Sequence, residues 1–180
     1  MAESLDRPAA LVLTTSDRSF AGERPDRSGE LLAARLAELG FRVDRQVVPD
    51  DLEVIRQALV EGAATHRLVI TTGGTGLTPR DVTPQATAMV VDYQVPGIAE
   101  AMRAEGRRHT PMASLSRGIV GVRAGSLIVN LPGSPRGSME SFAALEPVLD
   151  HALETLAGPF DHAARAGRAD LPAGEPEAAG

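Results

Sequence analysis

A chain of 180 residues with 43% hydrophobic residues and a net charge of −6 has the makings of one globular domain, long enough to bury about two-thirds of its unfolded surface in a single core. Cysteine is absent, which excludes disulfides, thiolate nucleophiles and cysteine-based zinc or iron–sulfur sites. The acidic balance, dispersed arginines and scarce aromatics argue against a nucleic-acid surface, and the short apolar runs and acidic N-terminus point to a cytoplasmic protein without a membrane span or signal peptide.

Residues 9–14 form an apolar run of β character, followed by a polar loop over residues 16–27 that is too long and too charged for a simple turn. Ser28 is placed to cap a helix with Leu31, Leu32, Leu36 and Leu39 at helical spacing, and Gly40 ends it. Residues 41–48 alternate at Phe41, Val43 and Val47 as a strand closed by Pro49. Asp50 or Asp51 then caps a helix burying Leu52, Ile55, Leu59 and Val60, with Glu53 completing a capping box if the cap is Asp50. Residues 67–72 are a third strand whose Leu68-Val-Ile70 centre suits burial on both faces of a parallel sheet.

Thr83 and Pro84 suit the N-cap and first position of a helix to about Val91, and Pro96 opens another over residues 97–106 with Ile98 and Met102 inward. Residues 119–122 and 126–131 flank Arg123-Ala-Gly125 as a hairpin or tight return. Ser134-Pro135 starts a final helix toward Gly158, striped by Met139, Phe142, Leu145 and Leu149 and kinked or restarted at Pro147. Residues 161–180 are Ala, Gly and Pro in 12 of 20 positions, which predicts a disordered tail after a single domain over residues 1–160. The order of elements predicts an α/β fold, a three-layer arrangement with an open, mostly parallel sheet and helices on both faces. Such sheets bind ligands at the carboxyl ends of their strands, so residues 15–17, 49–51, 71–81 and 132–136 should share one crevice.

The most informative stretch is Val69-Ile-Thr-Thr-Gly-Gly-Thr-Gly-Leu-Thr-Pro-Arg-Asp-Val-Thr-Pro84. Glycines permit positive φ and close approach of the backbone, and successive N–H groups in such a turn form a concavity for phosphate or carboxylate oxygens. Thr72, Gly73, Gly74, Thr75 and Gly76 are therefore candidate ligand contacts, joined by the Arg80 fork. Asp81 can hold a divalent metal that rides on phosphates, and Asp50, at a second strand end, can share it. The competing reading is a tight turn in which Arg80 and Asp81 form an ordinary ion pair and Asp50 only caps a helix.

Asn130-Leu-Pro-Gly-Ser-Pro135 puts Asn130, Pro132, Gly133 and Ser134 at a capped helix N-terminus suited to an anion, or simply makes an αβ turn. Ser114-Leu-Ser-Arg117 offers hydroxyls, Ser116 among them, and a guanidinium, or else a polar helix end. Gly74-Thr-Gly76 begins a dinucleotide fingerprint, but Pro79 stands at the third glycine position. All 18 basic residues are arginine, so a P-loop and Schiff-base chemistry are excluded. The four histidines show no metal spacing, and no serine has the surroundings of a hydrolase triad.

Together, Thr71–Pro84 and Asn130–Pro135 resemble the signatures of the MogA/MoaB family of molybdenum-cofactor biosynthesis proteins. The likeness extends in family order through Thr14-Thr-Ser-Asp-Arg18, Pro25-Asp-Arg-Ser-Gly29, Val47-Val-Pro-Asp50, Pro96-Gly-Ile-Ala-Glu-Ala-Met102 and Leu115-Ser-Arg117, covering roughly residues 9–157. The resemblance implies a molybdopterin adenylyltransferase, in which the terminal phosphate of molybdopterin attacks the α-phosphate of ATP and pyrophosphate leaves. It further implies magnesium as cofactor, Asp50 and Asp81 as the two essential acidic residues, a homotrimer, and a separate MoeA-like molybdate-insertion enzyme as partner. Two alternatives are a MoaB-type protein that binds molybdopterin without turnover and a trimeric scaffold with a vestigial pocket.

Overall fold

The structure, a computed structural model, describes residues 8–158; the tail at residues 161–180 lies outside the described residues. Six strands, β1 (Ala9–Thr15), β2 (Arg42–Val48), β3 (Leu68–Thr72), β4 (Tyr93–Gln94), β5 (Val120–Arg123) and β6 (Ser126–Leu131), form one sheet in the order β2-β1-β3-β6-β5-β4. The first four of that order are parallel, while β5 and β4 form the antiparallel pairings at the other edge. Six helices accompany it among the described residues: α1 (Asp17–Phe20), α2 (Arg27–Glu38), α3 (Leu52–Thr65), α4 (Thr83–Val90), α5 (Pro96–His109) and α6 (Pro135–Leu156). A 3-10 turn, Pro111–Leu115, follows α5.

Alternation along the strands divides the core in two, because successive side chains point to opposite faces. Ala10, Val12, Leu68, Ile70, Leu127 and Val129 pack with Leu32 and Leu36 of α2, Met102 of α5 and Phe142, Leu145 and Leu149 of α6. Leu11, Leu13, Val69 and Ile128 face Ile55 and Leu59 of α3 and Ala86 and Val90 of α4 on the other side. The sheet is thus covered on both faces, the α/β architecture expected. β3, paired with β1 and β6, is buried at every residue.

Several local expectations change. The loop at residues 16–27 contains α1, and α2 is capped by Asp26, whose carboxylate accepts from Gly29 N at 2.9 Å; Ser28 is buried inside the first turn. Leu31 and Leu39 are exposed, since only the Leu32 and Leu36 edge of α2 meets the sheet. Asp51, not Asp50, caps α3, accepting from Glu53 N at 3.0 Å and Val54 N at 3.1 Å. α4 begins at Thr83 itself, so the N-cap is Val82, which has no side-chain cap to offer, and the Thr83 hydroxyl meets Thr15 Oγ1 at 3.1 Å instead. The return at residues 123–126 is a hairpin with Ala124 at φ +48° and Gly125 at φ +80°, as a tight turn matched to strand twist requires. α6 runs unbroken past Pro147.

Candidate active site

The order of strands reverses at β1: β2 lies on one side of it, and β3 and β6 on the other. The carboxyl ends at this switch point open a crevice. A cavity of about 710 Å³ lies there, lined among others by Thr14, Thr15, Ser16, Asp50, Thr72, Gly73, Gly74, Arg80, Asp81, Gly133 and Ser134. The four expected loops do converge.

The crevice floor is backbone packed on backbone. Gly73 has φ +107°, and a Cβ there would stand 2.3 Å from the Thr15 carbonyl oxygen; one on Gly133 would stand 3.0 Å from Gly73 Cα. Thr72 Oγ1 donates to the Pro132 carbonyl at 2.8 Å, tying the β3 loop to the β6 loop. Behind this pair lies a second cavity of about 250 Å³, whose lining includes Thr75, Gly76, Ser116, Pro132 and Ser134, with Met112 and Leu115. Ser134, which borders both cavities, caps α6 by accepting from Gly137 N at 3.1 Å.

The two acidic residues stand apart in environment. Asp81 Oδ2 accepts from Thr78 N at 2.8 Å and Thr78 Oγ1 at 2.6 Å. Burial works to raise its pKa, but the Thr78 hydroxyl and amide and the Gly76 amide outweigh it and hold the carboxyl below its ordinary value. Asp50, freed from capping, exchanges bonds with Asp17: Asp17 N donates to Asp50 Oδ2 at 3.0 Å, and Asp50 N donates to Asp17 Oδ1 at 2.9 Å. Burial pushes the Asp50 carboxyl up, and the negative charges of Asp17 and Asp81 add to the rise against the Asp17 amide and Arg80.

Arg80 does not pair with Asp81. It crosses the crevice mouth to Asp17, and this bond is the chief cause of an Asp17 pKa below its ordinary value. Arg117, a candidate ligand contact in the sequence, spends its guanidinium on the glycine loop, donating to Gly76 O at 2.7 Å and to the Asp81 carbonyl, while its amide donates to Thr75 O at 2.9 Å.

Asn130 lines neither cavity. It is fully buried, donates to Thr71 Oγ1 at 3.1 Å and Thr87 Oγ1 at 2.9 Å, and accepts from Ile119 N at 3.3 Å. Its role is to brace β6 against β3 and α4, not to touch a ligand. Conversely, the sequence brings residues 15–17 to the crevice without giving Ser16 or Asp17 a contact and does not single out Arg24 or Asp26, although Ser16, Arg24 and Asp26 line the cavity and Asp17 adjoins it through Asp50. Arg24 donates to Ser16 Oγ at 3.1 Å, and Asp26 takes the Thr14 hydroxyl at 2.8 Å and Arg45 at 2.9 Å. The signal for them is the length and charge of the segment at residues 16–27.

Two carboxylates from two strand ends, a glycine loop and an arginine around one crevice are the kinds of group that a phosphorylated ligand and its metal require. A family described as a probable molybdopterin binding domain matches residues 11–151. The chain belongs to the MogA/MoaB family of molybdenum-cofactor biosynthesis proteins. It is similar to the molybdenum cofactor biosynthesis bifunctional protein of Synechococcus elongatus, at 40% identity over 155 residues, which are 85% of this chain and 48% of that one. The chain therefore spans about half the length of that relative. It is also similar to the molybdopterin adenylyltransferase of Helicobacter pylori strain J99, with 35% identity over 154 residues covering 83% of this chain and 88% of that protein. Among solved structures, the molybdopterin biosynthesis enzyme MoaB of Thermus thermophilus matches with a TM-score of 0.76 and 48% identity, covering 84% of this chain and 98% of that one. MogA/MoaB relatives thus share both sequence and sheet architecture with this chain.

Proposed function

We propose that this chain is a molybdopterin adenylyltransferase, moving AMP from ATP to the terminal phosphate of molybdopterin with release of pyrophosphate. The observation that carries the reading is the meeting of Asp50, Asp81, Arg80 and the glycine loop around one cavity large enough for a nucleotide. Transfer between phosphates needs positioning and charge neutralisation more than a protein nucleophile, and the crevice offers those two things. The name of the Helicobacter pylori relative points the same way.

Among the described residues, no three acidic or histidine side chains gather into a metal cluster. The donor set nevertheless suits magnesium, which is commonly held by one or two carboxylates together with substrate phosphates and water. Asp50 and Asp81 would hold it, and the raised pKa of Asp50 reflects a half-buried carboxyl that a cation would relieve. When bound, magnesium supplies neutralisation of the phosphate charge. The chain's own residues do the rest: Arg80 reaches the ligand from the rim, and the Gly73–Gly133 contact keeps the two loops in register. A MoeA-like molybdate-insertion enzyme as partner and a homotrimeric assembly belong to the same reading.

The second reading, a molybdopterin-binding protein without turnover, rests on the description of the matching family as a probable molybdopterin binding domain. Incubation with molybdopterin, ATP and magnesium separates the two: adenylylated pterin and pyrophosphate are expected, whereas bound but unaltered pterin would favour the second reading.

A further inference from the structure

We propose that Asp17 is a positioning residue: a resident counter-ion that holds Arg80 across the mouth of the crevice until the phosphate oxygens of a ligand displace it. The inference rests on the reading of the crevice as a phosphate site, but not on adenylyl transfer.

Asp17 is not a loose surface carboxylate. Its Oδ1 is fixed by the Asp50 amide at 2.9 Å, and its own amide is fixed on Asp50 Oδ2 at 3.0 Å, so Oδ2 is left presented to Arg80. The two partners of the ion pair come from opposite sides of the switch point, Asp17 from the start of α1 after β1 and Arg80 from the loop after β3. Arg80 lines the cavity, and Asp17 adjoins it through its neighbour Ser16 and its partner Asp50, both lining residues, so the bond joins the β1 and β3 loops at the cavity's edge.

The exposure of the pair sets its strength. The Arg80 side chain is 64% exposed and that of Asp17 is 46% exposed. Ion pairs between such groups are weak and screened by salt, whereas a guanidinium fork on phosphate makes two parallel, charge-assisted bonds. Phosphate oxygens entering the cavity thus compete successfully for Arg80. Its departure leaves Asp17 and Asp50 side by side without their nearest cation, which favours recruitment of a divalent ion at the moment phosphate arrives. Asp17 ties anion binding to cation binding through one arginine.

The test titrates inorganic pyrophosphate calorimetrically into the full chain without metal, for the wild type, Asp17→Asn, Arg80→Gln and the double variant. Asparagine can still accept from the Asp50 amide but carries no charge to hold Arg80. Asp17→Asn is expected to bind pyrophosphate roughly two- to fivefold tighter, the equivalent of releasing one exposed ion pair, and the gain should largely disappear in the Arg80→Gln background. Asp17→Ser is read the same way if the asparagine variant folds poorly. An unchanged or weakened affinity, or an equal gain with and without Arg80, overturns the clamp alone. A wild type that binds no pyrophosphate, with or without magnesium, overturns the clamp together with the phosphate-site reading.

Discussion

Replacing Asn130 with alanine separates a bracing residue from a ligand contact, because the two roles predict different signatures. The Asn130 side chain makes three hydrogen bonds, to Thr71, Thr87 and the Ile119 amide, and has no access to either cavity. After truncation Thr87 keeps its bond to the Thr83 carbonyl at 2.9 Å, but the Thr71 hydroxyl, on a strand with no exposure, loses its partner. The Ile119 amide loses its acceptor as well, although Ile119 is only half-buried. Orphaning one fully buried and one half-buried group costs about 3 kcal/mol in all. For a domain of this size that corresponds to a fall in melting temperature of roughly 6–12 °C. Differential scanning calorimetry reads the fall, and pyrophosphate titration well below the new midpoint reads the site, where affinity should stay within about threefold, the equivalent of under 1 kcal/mol. An unchanged melting temperature together with lost ligand affinity would refute the bracing role and return Asn130 to the crevice.

Three further outcomes follow from the geometry. Asp51→Ala removes the α3 cap and should lower stability by about 1 kcal/mol without abolishing turnover, whereas Asp50→Asn should abolish turnover without loss of stability; thermal melts paired with activity read both. The two acidic residues also differ in sign with pH. The folded state raises the Asp50 pKa above its ordinary 3.8, so its ionisation removes stability as pH rises from there through the folded value, and Asp50→Asn should raise the melting temperature at pH 7 but not below pH 3.8. Asp81 is depressed below 3.8, so its charge contributes stability above that value that is lost as pH falls through the folded pKa; Asp81→Asn should bring no gain at pH 7. Gly73→Ala combines φ +107° with a Cβ placed 2.3 Å from a backbone carbonyl, a strain of at least about 2 kcal/mol; a melting temperature equal to wild type would contradict the packed loop pair.

What is legible in the sequence is what local pattern encodes. Leu68-Val-Ile70 announces a central strand, Ser134-Pro135 a helix start, and Gly73-Gly74 their positive φ values, which Gly76 does not share. Choices decided by distant partners are not legible. Asp50 and Asp51 are equivalent caps by composition, and only the reciprocal bonds with Asp17 decide between them. Arg80 and Asp81 are neighbours in sequence, yet the arginine finds a carboxylate 63 positions away. Asn130 stands beside a loop of binding character, and its complete burial follows from the strand pairing that surrounds it. The two-residue β4 and four-residue α1 are too short to leave a period at all.

The central claim, adenylyl transfer at the crevice of Asp50 and Asp81, is tested most directly by following labelled phosphate. With molybdopterin, magnesium and ATP labelled at the α-phosphate, the label should move to the pterin product, while label at the γ-phosphate should leave as pyrophosphate. Retention of both labels in ATP with pterin bound, or transfer of the γ-label to the pterin, would contradict the account.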